Sequence, residues 1–186
     1  MIRTNNELAA FFDRNIFPTQ EIITYKKDDI IIKQDDYIRF ILFVKSGIIK
    51  CSRYNEEGTE FVQEFLGTGE IIGELEVLLE LYRPTTIASL IAVTEVNCLK
   101  IAIPEFKNLI ANNKELNFLL LQSLALKVRY KALRHSFVQT HSLEQNFVEI
   151  KQAFPEVLTL IPKNDLANYL GVPLRSLNRV IKSSKF

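Results

Sequence analysis

The chain has 186 residues, 47% hydrophobic and 24% charged, with a net charge of +1. That is the composition of a globular chain of one or two domains, and it excludes a globally basic nucleic-acid binder, so any anion-binding surface has to be local. No stretch reaches the ~18 uninterrupted apolar residues of a membrane span. Met1-Ile2-Arg3-Thr4-Asn5 lacks a signal-like apolar run, and Cys51 and Cys98 have no metal-type spacing. The expectation is therefore a cytoplasmic protein with no membrane partner and with reduced, packed thiols.

Residues 5–14 read as a short amphipathic helix, with Leu8, Phe11 and Phe12 at helical spacing. From about 20 to 103 the pattern changes to short runs rich in Ile, Val, Phe and Thr, at 22–25, 30–33, 40–44, 48–53, 61–66, 86–92 and 97–101. Turn chemistry separates them. In Asn55-Glu56-Glu57-Gly58 the glycine supplies the positive φ that a hairpin turn needs. Many short strands at regular spacing predict a barrel or roll rather than a βαβ fold.

Within this region stands Gly69-Glu70-Ile71-Ile72-Gly73-Glu74-Leu75, followed by Arg83-Pro84-Thr85-Thr86. Two glycines four apart after alternating apolar residues predict a tight strand-to-turn passage. Glycine lets backbone N–H groups approach a ligand, a carboxylate accepts from hydroxyls, and a guanidinium pairs with an anion. Such a cassette could cradle a sugar-phosphate, with Gly73, Glu74, Arg83, Thr85 and Thr86 as the candidate effector-binding residues.

After Pro104 the period becomes helical. A short helix is expected at 105–111, and a long one at 114–140, which contains no Gly or Pro. Two apolar rows lie on the long helix. Leu116, Leu120, Leu124 and Val128 form one; Leu119, Leu126, Tyr130, Leu133 and Phe137 form the other, broken only by Ser123. One row would cover the roll and the other would face a second copy of the chain. A helix of ~27 residues is ~40 Å long, more than a roll of this size needs to cover.

A further helix spans 142–154, and then come two short helices in sequence. Pro162 suits the start of the first, Asp165 sits in its first turn, and Gly171 ends it. Pro173 opens the second, whose apolar Leu174, Leu177, Val180 and Ile181 leave Arg175, Ser176, Asn178, Arg179 and Lys182 outward. Two such helices around a glycine turn make a helix-turn-helix, the second helix entering the major groove. From residue 163 to 186 there are five basic residues against one acid, Asp165. His135 and His141 do not share a face, and no nucleophile elbow, Walker lysine or H-E-x-x-H motif occurs, so no enzyme is expected.

In this order the parts resemble the Crp/Fnr (cyclic-AMP receptor protein/fumarate-nitrate regulator) family of bacterial transcription regulators. Val44-Lys45-Ser46-Gly47-Ile48, Asn55-Glu56-Glu57-Gly58-Thr59-Glu60, the 69–75 cassette and residues 162–182 carry the resemblance. It implies an α+β fold: a cyclic-nucleotide-binding-like β jelly roll (1–110), a long dimerisation helix (111–141) and a C-terminal helix-turn-helix (142–186). It also implies a homodimer that binds double-stranded DNA and is either modulated by a small-molecule effector or constitutive.

In nucleotide-binding members the cassette glycine and glutamate hold the ribose, and Gly73 and Glu74 match them. The phosphate arginine is displaced: an ungapped alignment puts Pro84 there, with Arg83 one residue early and Thr85 at the hydroxyl position. Lys131 and Ala132 stand where polar hydroxyls approach adenine. Cyclic nucleotide is thus a candidate effector whose contacts are incomplete, and the N-terminal cysteines of an iron–sulfur sensor are absent. Arg179 matches the later recognition-helix arginine, but Leu174 and Arg175 occupy the first two reading positions. The sequence stops at Phe186 without the usual β-hairpin wing, which implies fewer phosphate contacts and weaker affinity. The competing expectation is a sensor or protein-interaction module with a residual DNA-binding domain.

Overall fold

The computed structural model describes residues 1–15, 21–79 and 85–183. A two-residue strand β1 (Ile2–Arg3) leads into helix α1 (Asn6–Asn15), whose Leu8, Phe11 and Phe12 are buried as their spacing predicts. Asn5 caps α1, its side-chain oxygen accepting from the Leu8 N–H at 3.1 Å. The strands β2 (Ile22–Tyr25), β3 (Ile30–Ile32), β4 (Phe40–Ser46), β5 (Ile49–Tyr54) and β6 (Glu60–Leu66) follow. After them come β7 (Ile71–Ile72), the short helix α2 (Glu74–Leu78), β8 (Ser89–Ala92) and β9 (Val96–Ala102).

The strands form two sheets, one ordered β1-β6-β5-β8-β3 and the other β2-β9-β4-β7. Between them lies a core of Ile41, Phe43, Ile49, Leu99 and Ile101, closed at one end by Phe11 and Phe12 of α1. The expected hairpin turn forms: Gly58 has φ 79°, and Asn55 Oδ1 accepts from the N–H groups of Glu57 and Thr59. The strand expected at 86–92 is shorter. It begins only at Ser89, because the Thr86 hydroxyl turns back to donate to the Ala88 carbonyl at 2.8 Å.

The helices α3 (Ile103–Asn112) and α4 (Lys114–Thr140) come next, Asn113 capping α4 through the Leu116 N–H at 2.9 Å. The apolar rows on α4 are corrected. Leu116 and Leu120 do face the roll, but the row continues through Ser123 and Lys127, both buried, while Val128 is 70% exposed. Tyr130 and Phe137 turn inward rather than toward a second copy: the Tyr130 hydroxyl contacts the Tyr169 hydroxyl at 3.0 Å, and Phe137 packs on the C-terminal helices. Sequence periodicity failed here because α4 is apolar around most of its circumference.

Helix α5 (Leu143–Ala153) starts with a capping box between Ser142 and Gln145. A single turn α6 (Val157–Leu160) then leads to α7 (Lys163–Leu170) and α8 (Leu174–Ser183). These helices lie directly on the roll. A second core joins Ile48, Val62, Phe65 and Val93 of the roll to Phe147, Leu166, Tyr169 and Leu177 of the helices. Val62 and Phe65, three apart, can share the outer face because the β5–β6 register slips between Cys51 and Ser52.

Candidate functional site

The cassette sits where β7 meets α2. Gly73 has φ 90°, in the left-handed region, and a Cβ there would meet Ile38 Cγ2 at 3.0 Å and Phe40 O at 3.2 Å. This turn aims the Glu74 side chain back under the sheet, where the residue is 3% exposed. Gly73, Glu74 and Thr86 line one small cleft of about 90 Å³ together with Ile71, Cys51 and Lys131. Thr85 does not join them; it is half-buried and bridges to Tyr37. Arg83, with Pro84, lies outside the described residues. Ala132 is exposed and does not line the cleft.

Glu74 does not present its carboxylate to solvent. Lys127, from the middle of α4, pairs with Glu74 Oε1 through its ammonium, donates to the Ile71 carbonyl at 2.9 Å and lies 3.8 Å from Glu70 Oε2. On the other side Arg3 of β1 donates to Glu70 Oε2 at 2.7 Å and lies 3.5 Å from Glu64 Oε2. Three carboxylates thus share two cations in a nearly dry space. Burial holds the Glu70 carboxyl above its usual range, against the lowering influence of Arg3 and Lys127. Burial and Glu64 likewise push the Cys51 thiol up to about 12, so it is a poor nucleophile.

Lys127, Arg3 and Glu64 were missed at the sequence level. A lysine inside an otherwise apolar inward row is invisible to hydrophobic periodicity. The available signal was its 4-3-4 spacing with Leu116, Leu120 and Ser123, opposite an acidic cassette.

At the other end, α7 closes on Gly171 in the left-handed conformation (φ 67°, ψ 32°), and Ala167 is 1% exposed where α8 crosses. Leu177 and Val180 anchor α8. Arg175, Arg179 and Lys182 are exposed on it, with Ser176 and Asn178 half-buried between them. Residues four apart share a helix face, so Arg175 and Arg179 present their guanidinium groups together.

Helix α7 is fastened to the roll by a second charged cluster. Lys50 Nζ lies 2.8 Å from both Glu60 Oε1 and Asp165 Oδ1, and Asn168 donates to Glu60 Oε2 at 3.0 Å. Arg134 of α4 completes the junction, donating to the carbonyls of Val62 at 3.0 Å and Tyr169 at 2.8 Å. Among the described residues no helix is long and apolar enough to cross a membrane, and no cluster of three or more His, Cys, Asp or Glu could hold a metal ion.

This architecture, a two-sheet roll with a glycine–glutamate cassette, a long helix and a helix-turn-helix, belongs to the Crp/Fnr class of folds. Residues 22–113 match the family described as cyclic nucleotide-binding domain. Residues 22–113 thus resemble a cyclic nucleotide-binding domain, set within a fold of the Crp/Fnr type. CLP of Xanthomonas campestris, described as a c-di-GMP responsive global regulator, superposes with a TM-score of 0.76 at 15% identity, over 94% of this chain and 90% of that one. FixK2 of Bradyrhizobium japonicum superposes with a TM-score of 0.69 at 14% identity, over 89% and 84%. The potassium channel KAT2 of Oryza sativa subsp. japonica is 30% identical over 132 residues, 71% of this chain. The chain spans 21% of the channel's length.

Proposed function

We propose that the chain is a DNA-binding transcription regulator that acts as a homodimer. The observation that carries the reading is the α7–turn–α8 unit, whose apolar side is spent on the second core while Arg175, Arg179 and Lys182 are exposed on the opposite side of α8. Arginine there can fork onto guanine or phosphate, and Ser176 and Asn178 can reach phosphate or base edges.

Dimerisation is supported by the outward side of α4. Phe118, Leu121, Ala125, Val128 and Ala132 follow the 3-4-3-4 spacing of a coiled-coil seam, and Phe118, Leu121 and Val128 are 60–70% exposed. A self-matching seam on one long helix suits a second copy of the same chain. Two copies would bring two recognition helices to half-sites about 34 Å apart. In this reading residues 1–110 are the roll, 111–141 the dimerisation helix and 142–186 the DNA-reading segment. That the similar solved structures include the global regulator CLP agrees with it.

Arg175→Glu with Arg179→Glu should abolish binding to genomic fragments captured by the wild-type chain, while leaving the melting temperature unchanged. Retained binding would leave a sensor or protein-interaction module with a residual helix-turn-helix. Leu121→Glu with Val128→Glu should shift the sedimenting species from dimer to monomer.

A further inference from the structure

The Glu74 carboxylate occupies the position from which a cassette of this kind would hold ligand hydroxyls, and it is already engaged. Lys127 is 8% exposed, so it is not a surface lysine resting against an acid. An ammonium has three N–H donors. Here two of them meet acceptors, Glu74 Oε1 and the Ile71 carbonyl, and a second carboxylate, Glu70, stands 3.8 Å away. The free space left is about 90 Å³, against the roughly 300 Å³ or more of a small-molecule pocket. Burying such a pair brings little net stability compared with apolar packing. What it does bring is a defined register between two elements, because Lys127 comes from α4 and Glu74 from the roll, 53 residues apart.

We propose that this cassette is a binding site for a primary ammonium group and that Lys127 is its resident ligand. The ion pair holds the roll on the long helix in the arrangement that a diffusible effector would otherwise impose. The ammonium site stands on the geometry alone; the regulatory consequence rests on the DNA-binding reading above.

The test uses the full chain with Lys127→Ala, which leaves a slot the length of a propylammonium beside Glu74. Thermal unfolding and DNA binding are read in the same samples. The variant should melt lower than wild type and bind DNA about tenfold more weakly. Millimolar propylammonium should restore both, and tetramethylammonium, with the same charge and no N–H donor, should restore neither. Adding Glu74→Gln should remove the rescue, and cyclic AMP should change neither property of the wild type.

Equal rescue by tetramethylammonium, no rescue of a folded Lys127→Ala chain, or a cyclic AMP response of the wild type would overturn the ammonium site. A melt that responds to propylammonium while DNA affinity stays at the wild-type level would overturn the coupling. If no sample binds DNA, wild type included, the DNA-binding reading fails and the melt still judges the ammonium site. Should Lys127→Ala not fold, Glu74→Gln with Lys127→Met keeps the shape without charge. Wild-type DNA affinity in that double variant would show that the ion pair is not needed, and so overturn the proposal.

Discussion

Two charged clusters tie the roll to its helices, and they solve burial differently. In the cassette, Glu64, Glu70 and Glu74 share Arg3 and Lys127, and Arg3 Nη1 and Glu64 Oε2 lie buried without a hydrogen-bond partner among the described residues. Under α7, Lys50 serves Glu60 and Asp165, and Glu60 accepts in addition from Ser52 at 2.7 Å, Tyr54 at 3.0 Å and Asn168 at 3.0 Å. Burial raises both Glu60 and Glu70, but at Glu60 hydrogen bonds from Lys50, Ser52 and Tyr54 outweigh it and the carboxyl ends below its ordinary value. At Glu70 they do not, and the carboxyl ends above. Donor count and depth of burial act together here: Glu60 has more donors and lies less deeply buried than Glu70, and both differences hold its carboxyl down.

The two clusters should respond unequally to losing their lysine. Lys127→Ala leaves Glu74 buried without its cation and should lower the unfolding free energy by about 3–5 kcal/mol. Urea denaturation of the full chain measures this. Lys50→Met leaves Glu60 three other donors and leaves Asp165 in the first turn of α7, where the helix N-terminus favours its charge, so its cost should be smaller, about 1–3 kcal/mol. Hydrogen exchange should place that loosening in α7 and β6 rather than in α4. A Lys50→Met cost equal to that of Lys127→Ala would break the donor-counting explanation.

Acid titration separates the clusters by sign. Glu60 is depressed in the folded chain, so its contribution is present above the unfolded value near 4.5 and is lost as pH falls through the folded value. Glu70 is raised, so its contribution is present below 4.5 and is lost as pH rises through the folded value. Stability followed from pH 7 downward should therefore gain from Glu70 first and lose through Glu60 later. Glu60→Gln should flatten the lower limb and Glu70→Gln the upper one, each by less than the lysine variants cost. The same limb flattened by both would show that the two carboxylates titrate as one system.

Elements that punctuate themselves chemically were legible in the sequence: the Asn55–Gly58 turn, the Pro162 start and Gly171 stop of α7, and the uninterrupted α4. The roll was legible as a class but not in pairing. β1 is two residues long and lies parallel to β6, with Ile2 against Phe65, a contact no local pattern announces. The orientation of α4 was misread because Leu116 and Leu120 face in while Phe118, Leu121 and Val128 face out, so no single stripe dominates. The cassette was legible as a location through Gly73 and Glu74. Its occupant was not, since the deciding residue, Lys127, lies 53 positions downstream and reaches Glu74 only when the helix docks.

The smallest expected effect compares one glycine from each end of the molecule. Gly171 and Gly73 both have left-handed φ, at 67° and 90°. A Cβ on Gly171 meets nothing within 4 Å, and its ψ of 32° lies near the left-handed basin that other residues tolerate. Gly171→Ala should cost about 1 kcal/mol, all of it backbone. At Gly73 the backbone (φ 90°, ψ −7°) lies farther from that basin, and a Cβ would also make contacts to Ile38 and Phe40 that are tighter than ordinary van der Waals distance. Gly73→Ala should therefore cost about 2 kcal/mol, the excess reflecting that backbone and those contacts. It should also weaken the grip of Glu74 on Lys127, because the backbone that aims the carboxylate has to shift. Equal losses at the two positions would mean that the β7–α2 turn yields freely. The register between roll and helix would then be set by the ion pair alone, with no contribution from the turn that presents it.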